Sequence, residues 1–230
     1  MKNYDYLKHL AIFMEGYQRT AKDSVLQHIS GTGFFAALII NGKKTNIILT
    51  ARHFAEKMKR VIFFIRYNES DTFVTVPISQ EVKWQLCEDA DLAYCELKPI
   101  EERFRKITGR ELYATAITED DILTGEQSKE VNILDEVIMA GYPQGESSTH
   151  HKYPLFAKGY LSSLPKDSVE DGEGYADISA VGGFSGAPMF LNNQELMFLG
   201  VLVKGISDAP DVCSGISMYV SGYKVLELMK

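Results

Sequence analysis

Ser185 lies in Gly183-Phe184-Ser185-Gly186-Ala187-Pro188, a serine set between glycines in a segment closed by proline. A serine hydroxyl is a poor nucleophile near neutral pH. It attacks carbonyls when a histidine takes its proton and a carboxylate fixes the histidine tautomer and steadies the imidazolium that forms. The chain has five histidines, His9, His28, His53, His150 and His151, and all of them precede Ser185. This excludes the order Ser, Asp, His of the α/β-hydrolases, whose Gly-x-Ser-x-Gly elbow is also broken here by Ala187. Subtilisin order needs an aspartate ahead of the histidine, and the candidates Asp5 and Asp23 sit in no supporting motif. His53 instead follows the apolar run Asn46–Leu49 within Thr50-Ala51-Arg52-His53, where a strand end holds a loop side chain at a cleft. Asp91 opens Asp91-Leu92-Ala93, so the three groups read His, Asp, Ser along the chain. Asp89 would share its strand face and is exchangeable with it by register. The Leu-Ala that follows favours Asp91.

The elements that must carry these residues are mostly strands. Leu7, Leu10, Ala11 and Met14 recur at helical spacing and predict one amphipathic helix over 4–18, packed on a barrel or offered to a partner. From Ser24 onward the pattern changes to short β-branched and aromatic runs. Phe34–Ile40, Asn41-Gly42 and Thr45–Leu49 predict a hairpin, because Asn-Gly accepts the positive φ angles of a two-residue turn. Val61–Tyr67, Phe73–Ile78 and Leu92–Leu97 continue a first strand set. The acidic, Gly-containing stretch Thr118–Glu130 reads as a linker. Further strands are expected near Val137–Gly141, Leu155–Leu164, Tyr175–Ser179, Ala187–Leu191, Leu196–Val203 and Gly215–Val220. A short helix closes the chain after Ser221 as N-cap. The expected class is all-β, with two antiparallel barrels of about six strands each. The divisions are 1–22 for the N-terminal helix, 23–117 and 131–230 for the barrels, and 118–130 between them.

Taken together, these motifs resemble the trypsin-like serine peptidases of chymotrypsin fold, in their compact prokaryotic, HtrA-like branch, over most of 24–228. Gly31-Thr32-Gly33-Phe34 is similar to that family's opening glycine motif, and the segments around His53, Asp91 and Ser185 to its three catalytic motifs. Gly141-Tyr142-Pro143 and Gly159-Tyr160-Leu161 are weaker markers. The resemblance implies His53 as general base and then acid, Asp91 as its orienting carboxylate and Ser185 as nucleophile. It also implies an oxyanion hole from the backbone N–H groups of Gly183 and Ser185. By the same resemblance Ser179 is the floor of the specificity pocket and Gly205 and Gly215 its walls. An uncharged floor with open walls favours a neutral apolar or aromatic side chain, while Lys204 on the same segment argues for acidic groups. Where activated relatives carry an aspartate before the nucleophile, to pair with a newly cut N-terminus, this chain has Phe184. Activity independent of such cleavage is therefore expected.

The implied activity is a serine endopeptidase acting on polypeptides through an acyl-enzyme, with no metal or organic cofactor. The alternative is a catalytically silent double barrel that binds peptides or a partner. A third reading has a regulatory protein dock on the N-terminal helix. Gly31–Ala36 also matches a dinucleotide Gly-x-Gly-x-x-Ala pattern, but a hairpin rather than a helix follows it. His150 and His151 have no further ligand at metal spacing and read as a solvated loop.

The bulk composition agrees with this. The chain has 230 residues, 45% of them hydrophobic, and carries a formal charge of −7 with no basic stripe, which argues against nucleic acid. Charged residues interrupt the first twenty positions, so neither a signal-peptide core nor a membrane span is expected there. Cys87, Cys95 and Cys213 form no Cys-x-x-Cys pair and read as reduced, mostly buried thiols of a cytoplasmic protein.

Overall fold

The computed structural model describes residues 4–19, 26–58, 60–66, 73–78, 82–124, 126–143, 153–167, 172–193, 195–206 and 215–228. His150, His151 and Cys213 lie outside them.

The predicted N-terminal helix is short. α1 spans only Tyr4–Lys8, and the chain then enters β1 (Ala11–Arg19). Helical spacing misleads here because Leu10 to Met14 form an unbroken apolar run, whose 3.6 and 2.0 periods cannot be told apart over so few residues. Leu10, Ala11, Ile12, Phe13 and Met14 are all buried, which a strand covered on both faces requires and a surface helix does not. The apolar residues that a docking partner would have used are therefore inside the molecule.

β1 pairs with β2 (Leu26–Ile40) on one side and β4 (Val61–Arg66) on the other. The hairpin from β2 to β3 (Lys43–Ala51) turns through Asn41 at φ 50° and Gly42 at φ 75°, as the Asn-Gly pair predicts. With β5 (Phe73–Ile78), β6 (Gln85–Leu86) and β7 (Leu92–Glu96), the order is β5-β4-β1-β2-β3-β7-β6, and β8 (Ile117–Thr118) runs parallel to β2.

Among the described residues this sheet does not close, so the first of the two expected barrels is seen there as an open sheet. β6 is only two residues long and pairs with β7 alone among the described residues. The edge at β5 is met instead by α3 (Lys98–Thr108), an element absent from the sequence reading. Pro99 in its first turn and Gly109 at φ 70° after its end are ordinary helix boundaries, and Ile100 and Phe104, four apart, bury its apolar face. Truncating the fully buried Phe104 to alanine is expected to lower stability by about 3–5 kcal/mol in denaturant titration.

The second half closes. β9 (Glu136–Gly141), β10 (Leu155–Leu161), β11 (Glu173–Asp177), β12 (Pro188–Asn192), β13 (Leu196–Ile206) and β14 (Ile216–Ser221) form a barrel in the order β10-β11-β14-β13-β12-β9. α4 (Gly222–Leu228) follows, as expected. Within the stretch read as a linker, residues 118–123 pack against the second half, while 126–130 are largely exposed. Thr118 and Asp121 form a reciprocal cap, and Ile122 and Leu123 are buried, with Ile122 bridged to Phe198 of β13. Phe13 against Tyr142 and Phe34 against Phe198, with ring centroids 5.7 and 5.5 Å apart, join the two halves.

Cys87 and Cys95 are buried free thiols, and burial pushes both thiols up from their ordinary titration range. Among the described residues no helix is long and apolar enough to cross a membrane.

Candidate active site

The two halves meet where three of the predicted residues converge. His53 lies in α2 (Arg52–Ala55), one turn beginning where β3 ends, so the strand fixes its starting point. Asp91 immediately precedes β7, which pairs with β3 in a register that sets Leu92 opposite Ala51. That pairing brings the carboxylate under the histidine. Arg52 N–H donates to the Asp91 carbonyl at 3.1 Å and the Arg52 Nη1 to the Cys87 carbonyl at 2.9 Å, tying down the turn between them.

The Asp91 carboxylate accepts twice from His53. Its Oδ1 takes the backbone N–H at 2.8 Å, and its Oδ2 lies 2.7 Å from Nδ1. A carboxylate only accepts, so the Nδ1 carries the proton and leaves Nε2 as an acceptor. Nε2 stands 3.2 Å from Ser185 Oγ, within reach of the hydroxyl proton. His53 and Asp91 are partly exposed, at 40% and 29% of their side chains, so a ligand can reach the pair. Asp89 is exposed and among the described residues makes no hydrogen bond or ion pair with His53, whereas Asp91 makes both.

Ser185 sits on a turn that only glycines permit. Phe184 N–H donates to Val181 O at 3.2 Å across Gly182 and Gly183, and Gly183 has φ 94°, the third-position conformation of a type II turn. Gly186 follows at φ 88° and donates its N–H to Leu202 O at 2.8 Å, while Leu202 N–H returns to Ala187 O at 2.9 Å. The serine is thereby held against β13. Ala187 N–H donates to Phe184 O at 2.9 Å, whereas the N–H groups of Gly183 and Ser185 donate to no acceptor among the described residues. Two preorganised donors beside a serine are what a developing oxyanion requires.

By sequence, no family model and no curated protein matches this chain. Solved structures do match. The HtrA-type protease AlgW with decapeptide superposes with a TM-score of 0.61 at 12% identity, covering 98% of this chain and 64% of that one. A variant of AlgW with decapeptide (TM-score 0.59, 12% identity, 96% and 62% covered) and AlgW with tripeptide (0.59, 13%, 97% and 60%) agree. The chain has the fold of an HtrA-type protease.

It spans less than two thirds of the length of those AlgW chains. Within this HtrA-type fold the predicted pocket residues gather on β11, β13, β14 and the segments between them. Gly205 pairs with Ser217, whose hydroxyl donates to Ile178 O at 2.8 Å, and a Cβ on Gly205 would lie 3.3 Å from Ala180 O, beside the exposed Ser179. Gly215, at φ 79°, is next to Asp177, whose Oδ1 would be 3.7 Å from a Cβ there. Lys204 is exposed.

Sequence reasoning passed over Asp177, Thr32 and Thr50 as site residues. Asp177 is signalled by nothing but its place two residues before Ser179. Thr32 and Thr50 stand inside quoted motifs, yet only the fold shows the Thr32 hydroxyl donating to Gly183 O and the Thr50 hydroxyl to Thr32 O. Among the described residues no group of three His, Cys, Asp or Glu side chains is placed to hold a metal ion.

Proposed function

We propose that this protein is a serine endopeptidase. The observation that carries the reading is the continuous hydrogen-bonded line from Asp91 through His53 to Ser185, at 2.7 and 3.2 Å. Ser185 Oγ attacks the scissile carbonyl as its proton passes to His53 Nε2, and Asp91 stabilises the imidazolium through Nδ1–H. The tetrahedral oxyanion is met by the N–H groups of Gly183 and Ser185. His53 then gives the proton to the leaving amine, which departs and leaves an acyl-enzyme. A water deprotonated by His53 releases the acid in the second half of the cycle.

The substrate is a polypeptide bound in extended form. β13 pairs with β12 only as far as Val201, so among the described residues Lys204–Ile206 have no strand partner on that side, and an extended segment can add there. The AlgW structures of this fold were solved with a decapeptide and a tripeptide, which supports a peptide ligand here. Ser179, Gly205 and Gly215 frame a pocket for a neutral apolar or aromatic side chain, and a peptide library cut mainly after Lys or Arg would assign selection to Asp177 instead. Phe184 supports activity without N-terminal processing. Its buried ring packs in the second core, 2.6 Å from where a Cβ on Gly141 would lie, and accepts no ammonium partner.

Labelling with a fluorophosphonate probe tests the reading. Wild type is expected to label at one site, and Ser185→Ala and His53→Ala are expected not to label. If wild type shows no Ser185-dependent labelling, the fold serves as a peptide-binding module instead.

A further inference from the structure

We infer that Thr32 is a positioning residue for the oxyanion hole, acting from the opposite half of the molecule. The inference rests on the peptidase reading for its catalytic consequence but on geometry for its placement. Thr32 lies in β2 and is fully buried. Its hydroxyl donates to Gly183 O at 2.9 Å and accepts from Tyr142 N–H, also at 2.9 Å. Its own N–H donates to Ser185 O at 3.1 Å, and its carbonyl accepts the Thr50 hydroxyl at 2.7 Å. One residue therefore holds the two carbonyls that flank Phe184.

The consequence follows from peptide planarity. The carbonyl of Gly183 belongs to the peptide whose N–H, on Phe184, is tied to Val181 O, and the carbonyl of Ser185 to the peptide whose N–H, on Gly186, is tied to Leu202 O. These two planes carry no oxyanion donor, and each is pinned at both ends. Of the peptides that do carry a donor, 184–185 lies between these two planes with its own carbonyl accepting Ala187 N–H, and 182–183 lies between the pinned plane 183–184 and Val181, whose carbonyl takes the Phe184 N–H; this fixes where their N–H groups aim.

The hydroxyl matters more than the shape of the side chain. Because Tyr142 N–H occupies one lone pair, the hydroxyl proton is directed at Gly183 O, where it stabilises the left-handed φ of Gly183. Valine at 32 keeps the volume and removes the bond, leaving a buried carbonyl and a buried N–H each without this partner. The Gly182-Gly183 peptide is then free to turn over, taking the Gly183 donor out of the site. Serine at 32 restores both bonds.

The test compares Thr32→Val and Thr32→Ser with wild type, using a burst titration that counts competent Ser185 together with steady-state peptide hydrolysis. Thr32→Val is expected to lower kcat per titrated site by roughly ten- to a hundredfold at nearly unchanged KM, below the 10²–10³ of deleting a donor outright. Thr32→Ser is expected within a fewfold of wild type. A merely structural role would lower the titrated fraction and leave kcat per site intact, and that result would overturn the inference. So would a Ser variant as slow as the Val variant.

Amide shifts of Gly183 and Ser185 by NMR give a reading independent of turnover. They are expected to move in Thr32→Val and not in Thr32→Ser. If wild type proves not to react at Ser185, the peptidase reading fails while this measurement still decides the placement, and unmoved amides in Thr32→Val would overturn it. Should the valine variant not fold, Thr32→Ala is judged by the same criteria, with a loss of about tenfold expected.

Discussion

Ser185→Ala is expected to lower kcat for peptide hydrolysis by about a million-fold, His53→Ala by nearly the same factor, and the double variant by no more than either single. The reason is the shared proton. With no hydroxyl at 185, the base at 53 has nothing to activate, and with no Nε2 at 3.2 Å, the hydroxyl stays protonated and inert. Asp91→Asn is expected to cost about ten-thousand-fold. Its amide would turn an N–H toward Nδ1, favouring the tautomer that carries its proton on Nε2 and so cannot accept one from serine. The fold can persist in that variant, since an amide oxygen can still accept the His53 N–H that Asp91 Oδ1 takes at 2.8 Å. Steady-state kinetics on the three singles and the Ser185/His53 double variant check this. Losses that multiply would show that the two residues act separately.

Gly186→Ala is expected to destabilise the protein by about 4 kcal/mol or more, a size reserved for steric and strain failures. A Cβ at 186 would lie 2.1 Å from Thr32 O and 2.3 Å from Thr50 Oγ1, and φ is 88°, where L-residues are strained. The nearest clashing atom is backbone in β2, so relief requires separating the serine segment from the first sheet. Gly205→Ala is the matching control. Its Cβ would lie 3.3 Å from Ala180 O, a tight contact at an ordinary φ rather than an overlap, so the loss of stability should be well below that at 186 while bulky substrates are hydrolysed less well. Thermal unfolding of both variants, with a substrate series on the second, separates the two effects.

Much of the site was legible because triad chemistry is local in motif and ordered along the chain. Glycine punctuation around Ser185, the Thr-Ala ahead of His53 and the Leu-Ala after Asp91 each marked a strand end, and the structure puts all three side chains at one seam. The Asn-Gly turn and the strands of the second half were legible for a similar reason: turn residues bound each short run. β1 was not, since Leu10–Met14 is apolar on every side and one of its two partners, β4, is distant in sequence. Closure of a sheet is equally invisible in local pattern. Whether β5 meets β6 depends on strand length and on what α3 covers, not on hydrophobic periodicity. Thr32 was visible but mute, because a hydroxyl's partner 151 positions away leaves no trace in its own neighbourhood.

β1 lies between β2 and β4, interior to its sheet rather than at an edge. In a zymogen-type peptidase the front of the chain is the trigger, cut once to supply the ammonium that sets the nucleophile. Here a cut within residues 11–19 would remove a middle strand and undo the wall against which Thr32 holds the serine segment. A cut within β1 is thus expected to inactivate the molecule rather than switch it on.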